Sequence, residues 1–305
     1  MKQTLVIGSA VVDVILNTEQ LPKRGQDVQV SRQKRSLGGC AYLVSDMLRH
    51  FGVPYSLCTA VGGGMFGEFV LHELTKKGVP VYVKCPEKEN GCCYCLVEPD
   101  GERSFLVDHG VEYTFHESYL ENMDTETIDS VYICGLEIEE ETGQEIIDYL
   151  KKHREYTVYF ATGPRIMQLW EKFPERVREL FSLHPVLHLN EEESISFTGK
   201  PTAEEAARAL YAQTGNTVIV TLGEKGSLCC EKTGISYAAP VPAKVKDTIG
   251  AGDGHMGAVI AARRQGLSFP EAIRLANCIS AKIVETEGGG LGEEAFRQAA
   301  AEFRR

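Results

Sequence analysis

A chain of 305 residues, 43% hydrophobic and 25% charged, has the composition of an ordinary globular protein with length enough for a large core. Its formal net charge of −11 argues against a nucleic-acid or anionic-membrane binder, although backbone dipoles can still hold a small anionic ligand inside an acidic protein. No apolar run approaches the ~20 residues that span a bilayer.

The start, "MKQTLVIGSAVVDVIL", reads as a buried first strand (4–10) and not as a signal peptide, because Gly8, Ser9 and Asp13 interrupt its apolar run. That predicts a cytoplasmic protein whose ten cysteines are free thiols. Residues 14–36 carry a strand pattern without helical period. A helical stretch at 40–52 and a strand at 55–61 lead to "GGGMFG", Gly62 to Gly67, before a helix at 66–77. This satisfies G-x-G-x-x-G but stands at the second strand–helix turn, not the first, so a tight turn with close packing is the stronger reading than a dinucleotide cradle. Residues 80–110 are again strand-like. Within them "GCCYC" (Cys92, Cys93, Cys95) lacks C-x-x-C spacing and reads as structural. "YCLVEPDGERSFLV" predicts a hairpin turning at Asp100-Gly101. Residues 14–36 and 80–110 together predict a small β-sheet lid standing off a main body of residues 1–13, 37–79 and 111–305.

Beyond residue 130 short apolar runs (130–136, 157–161, 185–190, 217–223) alternate with amphipathic stretches (141–154, 165–172, 203–213, 251–265, 269–285, 293–304). This alternation predicts an α/β fold with a mostly parallel sheet covered on both faces. No P-loop is present, since Pro201 follows Gly199-Lys200. In "DTIGAGDGHM" (247–256), a helix starting near Ala251 would put Met256, Val259 and Ile260 on its apolar face. Its first N–H groups would be free to hold an anion, and the small residues Gly250, Ala251 and Gly252 would let a phosphoryl group come close. Asp253 in the same turn could take a proton from an attacking hydroxyl, or could be no more than a helix-favouring charge.

"DTIGAGDGHMGA" resembles the C-terminal signature of the ribokinase-like (PfkB) sugar and nucleoside kinases. "GSAVVD", "LGGCAYLVSDMLRHFG", "VGGGMFGEF", "PDGERSFL", "LNEEE" and "VTLGEKGS" follow that family's order. The resemblance implies a ribokinase-like three-layer sandwich with a small β-sheet lid over the substrate site, using ATP and Mg²⁺ and forming a homodimer through the lid. It implies Asp253 as the catalytic base and the backbone of Gly250, Ala251 and Gly252 as the anion hole. Asn190, Glu193, Thr221, Gly223 and Asn277 would bind ATP, with Glu193 reaching Mg²⁺ through water. Asp13, Gly38, Gly39 and Glu137 would bind substrate, and Asp247 and Ile249 would hold a monovalent cation such as K⁺. The chain departs from ribokinase at Val11, Cys40 and Leu43, which replace polar groups, while Gly64 and His255 replace an Asp and an aromatic residue. Fewer buried polar partners weaken recognition of a small polyol. A small sugar, a sugar acid or a nucleoside such as pseudouridine are all open as acceptors, with His109 and Arg165 as further candidate contacts. An NAD-dependent oxidoreductase and a non-catalytic metabolite sensor are the rival readings.

Overall fold

The computed structural model describes residues 2–99 and 102–303. The turn expected at Asp100-Gly101 therefore lies outside the described residues. In chain order the strands are β1 (Gln3–Ile7), β2 (Val11–Thr18), β3 (Val30–Gly38), β4 (Tyr55–Cys58), β5 (Ala60–Gly63), β6 (Val83–Glu89), β7 (Cys92–Val97), β8 (Arg103–Asp108), β9 (Ile128–Cys134), β10 (Thr157–Ala161), β11 (Val186–Asn190), β12 (Val218–Thr221), β13 (Ser227–Glu231) and β14 (Gly234–Ala238). The helices are α1 (Cys40–His50), α2 (Gly64–Lys76), α3 (Gly135–Glu139), α4 (Gly143–Lys152), α5 (Ile166–Lys172), α6 (Pro174–Phe181), α7 (Glu191–Thr198), α8 (Ala203–Thr214), α9 (Ala251–Arg264), α10 (Phe269–Ile283) and α11 (Glu293–Glu302).

An eight-stranded sheet runs β14-β13-β12-β11-β10-β9-β1-β4, parallel from β12 to β4, with β13 and β14 added antiparallel. Successive side chains leave opposite faces of a strand. Val6, Tyr132, Tyr159 and Ile219 accordingly pack with α1, α9 and α10, whereas Leu5, Ile7, Val131, Ile133, Phe160 and Leu187 pack with α4, α6 and α8. Two cores on the two faces of one sheet make three layers. Glycines bring the first of these layers close together. A Cβ at Gly254 would overlap Ile283 of α10, and one at Gly257 would sit 2.7 Å from Met47 Cβ of α1.

A separate four-stranded sheet has the order β3-β2-β7-β8 and begins already at Val11. Residues 83–89 do not join it: β6 pairs in parallel with β5 instead. The glycines of "GGGMFG" explain why. A Cβ at Gly62 would meet Lys88 O at 2.5 Å, and Gly63 is pressed against the backbone of Pro86. The motif is filled by the chain itself, which leaves no cradle for a dinucleotide. Two of the four legs of the small sheet meet the body at Asn90–Gly91 and Gly110–Glu112. The buried Glu112 carboxylate accepts from Gly91 N–H (3.0 Å), Gly110 N–H (3.1 Å) and Asn90 Nδ2 (2.9 Å). No helix among the described residues is long and apolar enough to cross a membrane.

Candidate active site

The carboxyl ends of the parallel strands open into one region. β1 leads to Gly8-Ser9, β9 to Glu137, β10 to Thr162, β11 to Asn190 and Glu193, and β12 to Thr221 and Gly223. Ligands of open α/β sheets collect at such an edge. The "DTIGAGD" segment enters it from the other side. Gly250 is the N-cap of α9 in the left-handed conformation (φ 71°), and a Cβ there would meet Gly289 Cα at 2.6 Å and Leu43 Cδ1 at 2.8 Å. Leu43 thus supports this loop. Space beside Gly252 is open. The N–H groups of Gly250, Gly252 and Asp253 have no hydrogen-bond partner among the described residues, while Ala251 N–H turns in to Thr248 O at 3.3 Å. The unoccupied donors at this helix tip are those of Gly250, Gly252 and Asp253, with Ala251 withdrawn by its own turn.

Three carboxyl groups, Asp253, Asp13 and Glu137, are raised above their ordinary range. Burial pushes Asp253 up to about 6, opposed by a hydrogen bond from the Cys40 thiol. Burial, with Asp253 and Asp247 adding to it, pushes Asp13 up to about 7. Burial also pushes Glu137 up to about 7, opposed by Ser9 N–H, which donates to its Oε1 at 2.9 Å. Glu137 Oε2 and Ser9 Oγ are buried without partners among the described residues, so both can meet a ligand hydroxyl. Gly38 is a close-approach position: a Cβ there would overlap the Asp13 carboxylate. Gly39 has φ 97° and packs on Ser9 O, where a Cβ would lie at 2.5 Å.

On the β11 side Asn190 and Glu193 form a capping box on α7. Asn190 Oδ1 accepts from Glu193 N–H (2.8 Å) and Glu193 Oε2 from Asn190 N–H (2.9 Å). One Glu193 oxygen and the Asn190 amide nitrogen stay free of that box. Burial raises the Glu193 carboxyl, with Glu192 and then Asp253 adding to the effect. Thr221 pairs with Asn190 across the sheet, and Gly223 (φ 59°) borders open space. Asn277 stands apart. Its Oδ1 accepts from Ser227 Oγ (2.9 Å), and its Nδ2 donates to the carbonyls of Ala238 (3.2 Å) and Ala239 (2.9 Å). His255 Nε2 lies 3.2 Å from the same Oδ1 and must donate to it, which leaves His255 Nδ1 to accept from His188 Nε2 at 3.0 Å. Burial lowers both imidazoles, His255 to about 4, in keeping with this neutral chain. The Asn277 amide is thereby fully engaged within the protein.

Asp247 carries three contacts. Its carboxylate accepts from Ile249 N–H (2.8 Å) and Gly288 N–H (2.8 Å), and Arg103 Nη2 lies 3.3 Å from Oδ1. A guanidinium thus stands at the carboxylate where a monovalent cation was expected. Sequence reasoning missed both Arg103 and Glu112, because each acts through partners remote in the chain or through the crossing of two lid legs. At the rim His109 stacks on Tyr113 (3.8 Å) and Nδ1 donates to Glu140 (2.6 Å), while Arg165 donates to His109 Nε2 (3.3 Å) and pairs with Glu139 (3.3 Å). All ten cysteines are unpaired, and among the described residues no three His, Cys, Asp or Glu side chains converge on a metal position.

The pfkB family carbohydrate kinase profile matches residues 1–295. The chain is 29% identical over 300 residues to the uncharacterized sugar kinase YegV of Escherichia coli K12, covering 94% of this chain and 90% of that one. Its fold superposes on ribokinase from Thermotoga maritima with a TM-score of 0.80 at 22% identity, covering 100% of this chain and 99% of that one. It also superposes on aminoimidazole riboside kinase from Salmonella enterica, solved with aminoimidazole riboside and an ATP analog, with a TM-score of 0.79 at 19% identity and coverage of 99% and 100%. The profile match over residues 1–295 places this chain in the pfkB family of carbohydrate kinases.

Proposed function

We propose that the protein transfers the γ-phosphate of ATP to a hydroxyl of a small sugar, with Asp253 as general base. The observation that carries this reading is the meeting, at one helix tip, of three unpartnered N–H donors and a carboxyl held up at about 6. Asp13 and Glu137 accept from sugar hydroxyls beside the backbone of Gly38 and Gly39. Asp253 takes the proton of the reacting hydroxyl as its oxygen attacks the γ-phosphorus. The new O–P bond forms while the bond to the β,γ-bridging oxygen breaks, and ADP leaves. The N–H groups of Gly250, Gly252 and Asp253 meet the charge on the transferring group. Mg²⁺ would arrive with ATP and neutralise phosphate charge; the free Glu193 oxygen would accept from its water, and the Asn190 amide nitrogen would donate to phosphate. Thr221 and Gly223 border the nucleotide, and Asn277 shapes its pocket by fixing the Ala238–Ala239 backbone.

The four-stranded sheet of β2, β3, β7 and β8 serves as the lid over this cleft, with β6 left in the body and the remainder as the nucleotide-binding domain. A riboside is the second reading, favoured by the apolar Val11 and the Cys40 thiol where polar contacts to a small polyol would otherwise stand. The unpaired thiols suit a cytoplasmic enzyme. The test is ADP release coupled to a screen of pentoses, hexoses, sugar acids and ribosides. Turnover with a sugar or riboside supports the reading. Metabolite-induced thermal stabilisation without ADP release would replace the kinase by a sensor.

The lid also supports a homodimer. Phe105, Leu106 and Val107 on the edge strand β8 are 50%, 62% and 50% exposed, an unprotected edge that a second copy would cover. Sedimentation velocity is expected to show a dimer for the wild type and a monomer for Leu106→Lys; a monomeric wild type would refute the pairing.

A further inference from the structure

The small sheet touches the floor of the cleft through three basic side chains. Arg32 lies 3.2 Å from both carboxylate oxygens of Glu287, and Lys34 Nζ donates to Glu287 O at 3.3 Å. The Arg32–Glu287 pair is about half exposed on each side and adds little by itself. The third contact is of another kind. Arg103 Nη2 donates to Lys246 O at 3.0 Å and lies 3.3 Å from Asp247 Oδ1, with the two side chains only 12% and 4% exposed.

Asp247 joins two loops. Its Oδ1 accepts from Ile249 N–H, one residue before Gly250, and its Oδ2 accepts from Gly288 N–H, one residue before the Gly289 that packs on Gly250. The conformation of the anion-binding turn therefore depends on this carboxylate. A carboxylate so deeply buried needs a counter-charge, and removing that charge leaves an uncompensated ion. Among the described residues the basic side chain that pairs with it is Arg103. Arg103 begins β8 of the small sheet, whereas Asp247 belongs to the body, so the pair forms only with the sheet docked.

We propose that Arg103 is the counter-ion of Asp247 in place of a monovalent cation, and that it is a positioning residue which fixes the anion-binding turn when the lid docks. Its consequence for turnover rests on the phosphotransfer reading above, while the pairing itself does not. The kinase should accordingly work equally well in potassium and in choline salts.

The experiment compares wild type, Arg103→Ala and Arg103→Lys in potassium chloride and in choline chloride at equal ionic strength. Amide hydrogen exchange is followed at Ile249 and Gly288, alongside turnover with the best acceptor from the screen. In Arg103→Ala both amides should exchange about tenfold faster or more in choline chloride, and potassium or guanidinium should slow them again. Turnover should fall by about 10–100-fold and recover with the same cations. Arg103→Lys should keep most of both properties, and the wild type should be indifferent to the cation. Unchanged exchange in Arg103→Ala, or a wild type whose exchange or turnover responds severalfold to potassium, overturns the proposal. If exchange behaves as expected but no acceptor is phosphorylated, the pairing stands and the kinase reading falls.

Discussion

Asp253→Asn is expected to lower turnover by about 10²–10⁴-fold while ATP affinity stays near that of the wild type. The asparagine keeps the shape of the helix tip, and the N–H donors that would hold phosphate are backbone groups a side-chain change does not remove. What it loses is the capacity to accept a proton. The pH dependence adds a second signature. Burial holds Asp253 at about 6, so below that pH the carboxyl is already protonated and cannot act as base. Wild-type activity should rise with pH through about 6, and Asp13, held at about 7, should extend that limb upward. Asp253→Asn should lose the lower part of the limb. A purified variant with near-normal turnover would remove Asp253 from the chemistry, and stopped assays of ADP release across pH 5 to 8, the range in which these two groups titrate, read both effects.

The parts of this arrangement legible in the sequence are those with local causes. The alternation of apolar strands and amphipathic helices follows from side-chain direction, and "DTIGAGD" announces a turn because Gly250 needs φ 71° at an N-cap. The β13–β14 hairpin was not legible, since Glu231-Lys232 between "SLCC" and "TGISYA" looks like a solvated loop until β12 offers an edge to pair with. Glu193 in "LNEEE" is expected from the resemblance to reach Mg²⁺ through water, and the capping box shows that it also caps α7 with one of its two oxygens. Most hidden of all were the long-range polar contacts. Nothing local to Arg103 marks Asp247 as its partner, and nothing local to Asn277 shows that Ser227 and His255 have already claimed its amide. Pairing of charges across the chain is a property of the fold, and only residue types at a matched motif hint at it beforehand.

Asp13→Asn should move stability and activity in opposite directions. Asp13 is 7% exposed, and burial together with Asp253 and Asp247 holds it at about 7, against an ordinary value of 3.8. A carboxyl whose folded value is raised contributes stability that is complete below its unfolded value and is lost as pH rises through the folded one. At pH well above 7 the wild type therefore carries a strained ionised group that asparagine does not. The ligand-free variant should melt roughly 2–5 °C higher at alkaline pH, and the difference should shrink as pH falls below about 7 and vanish near the ordinary carboxyl value of 3.8. Catalysis should suffer in turn. Each charged hydrogen bond to a sugar hydroxyl is worth about 1.5–3 kcal/mol, so losing a pair lowers kcat/KM for the acceptor by about 10²–10⁴-fold while leaving the KM for ATP alone. Neutral substitution elsewhere in a core gives no such split, because a buried group kept for packing loses stability when replaced. Calorimetry and acceptor kinetics on one preparation decide it: a variant that melts lower than the wild type, or that keeps its acceptor kcat/KM, shows that Asp13 is held in the cleft for some reason other than gripping the substrate.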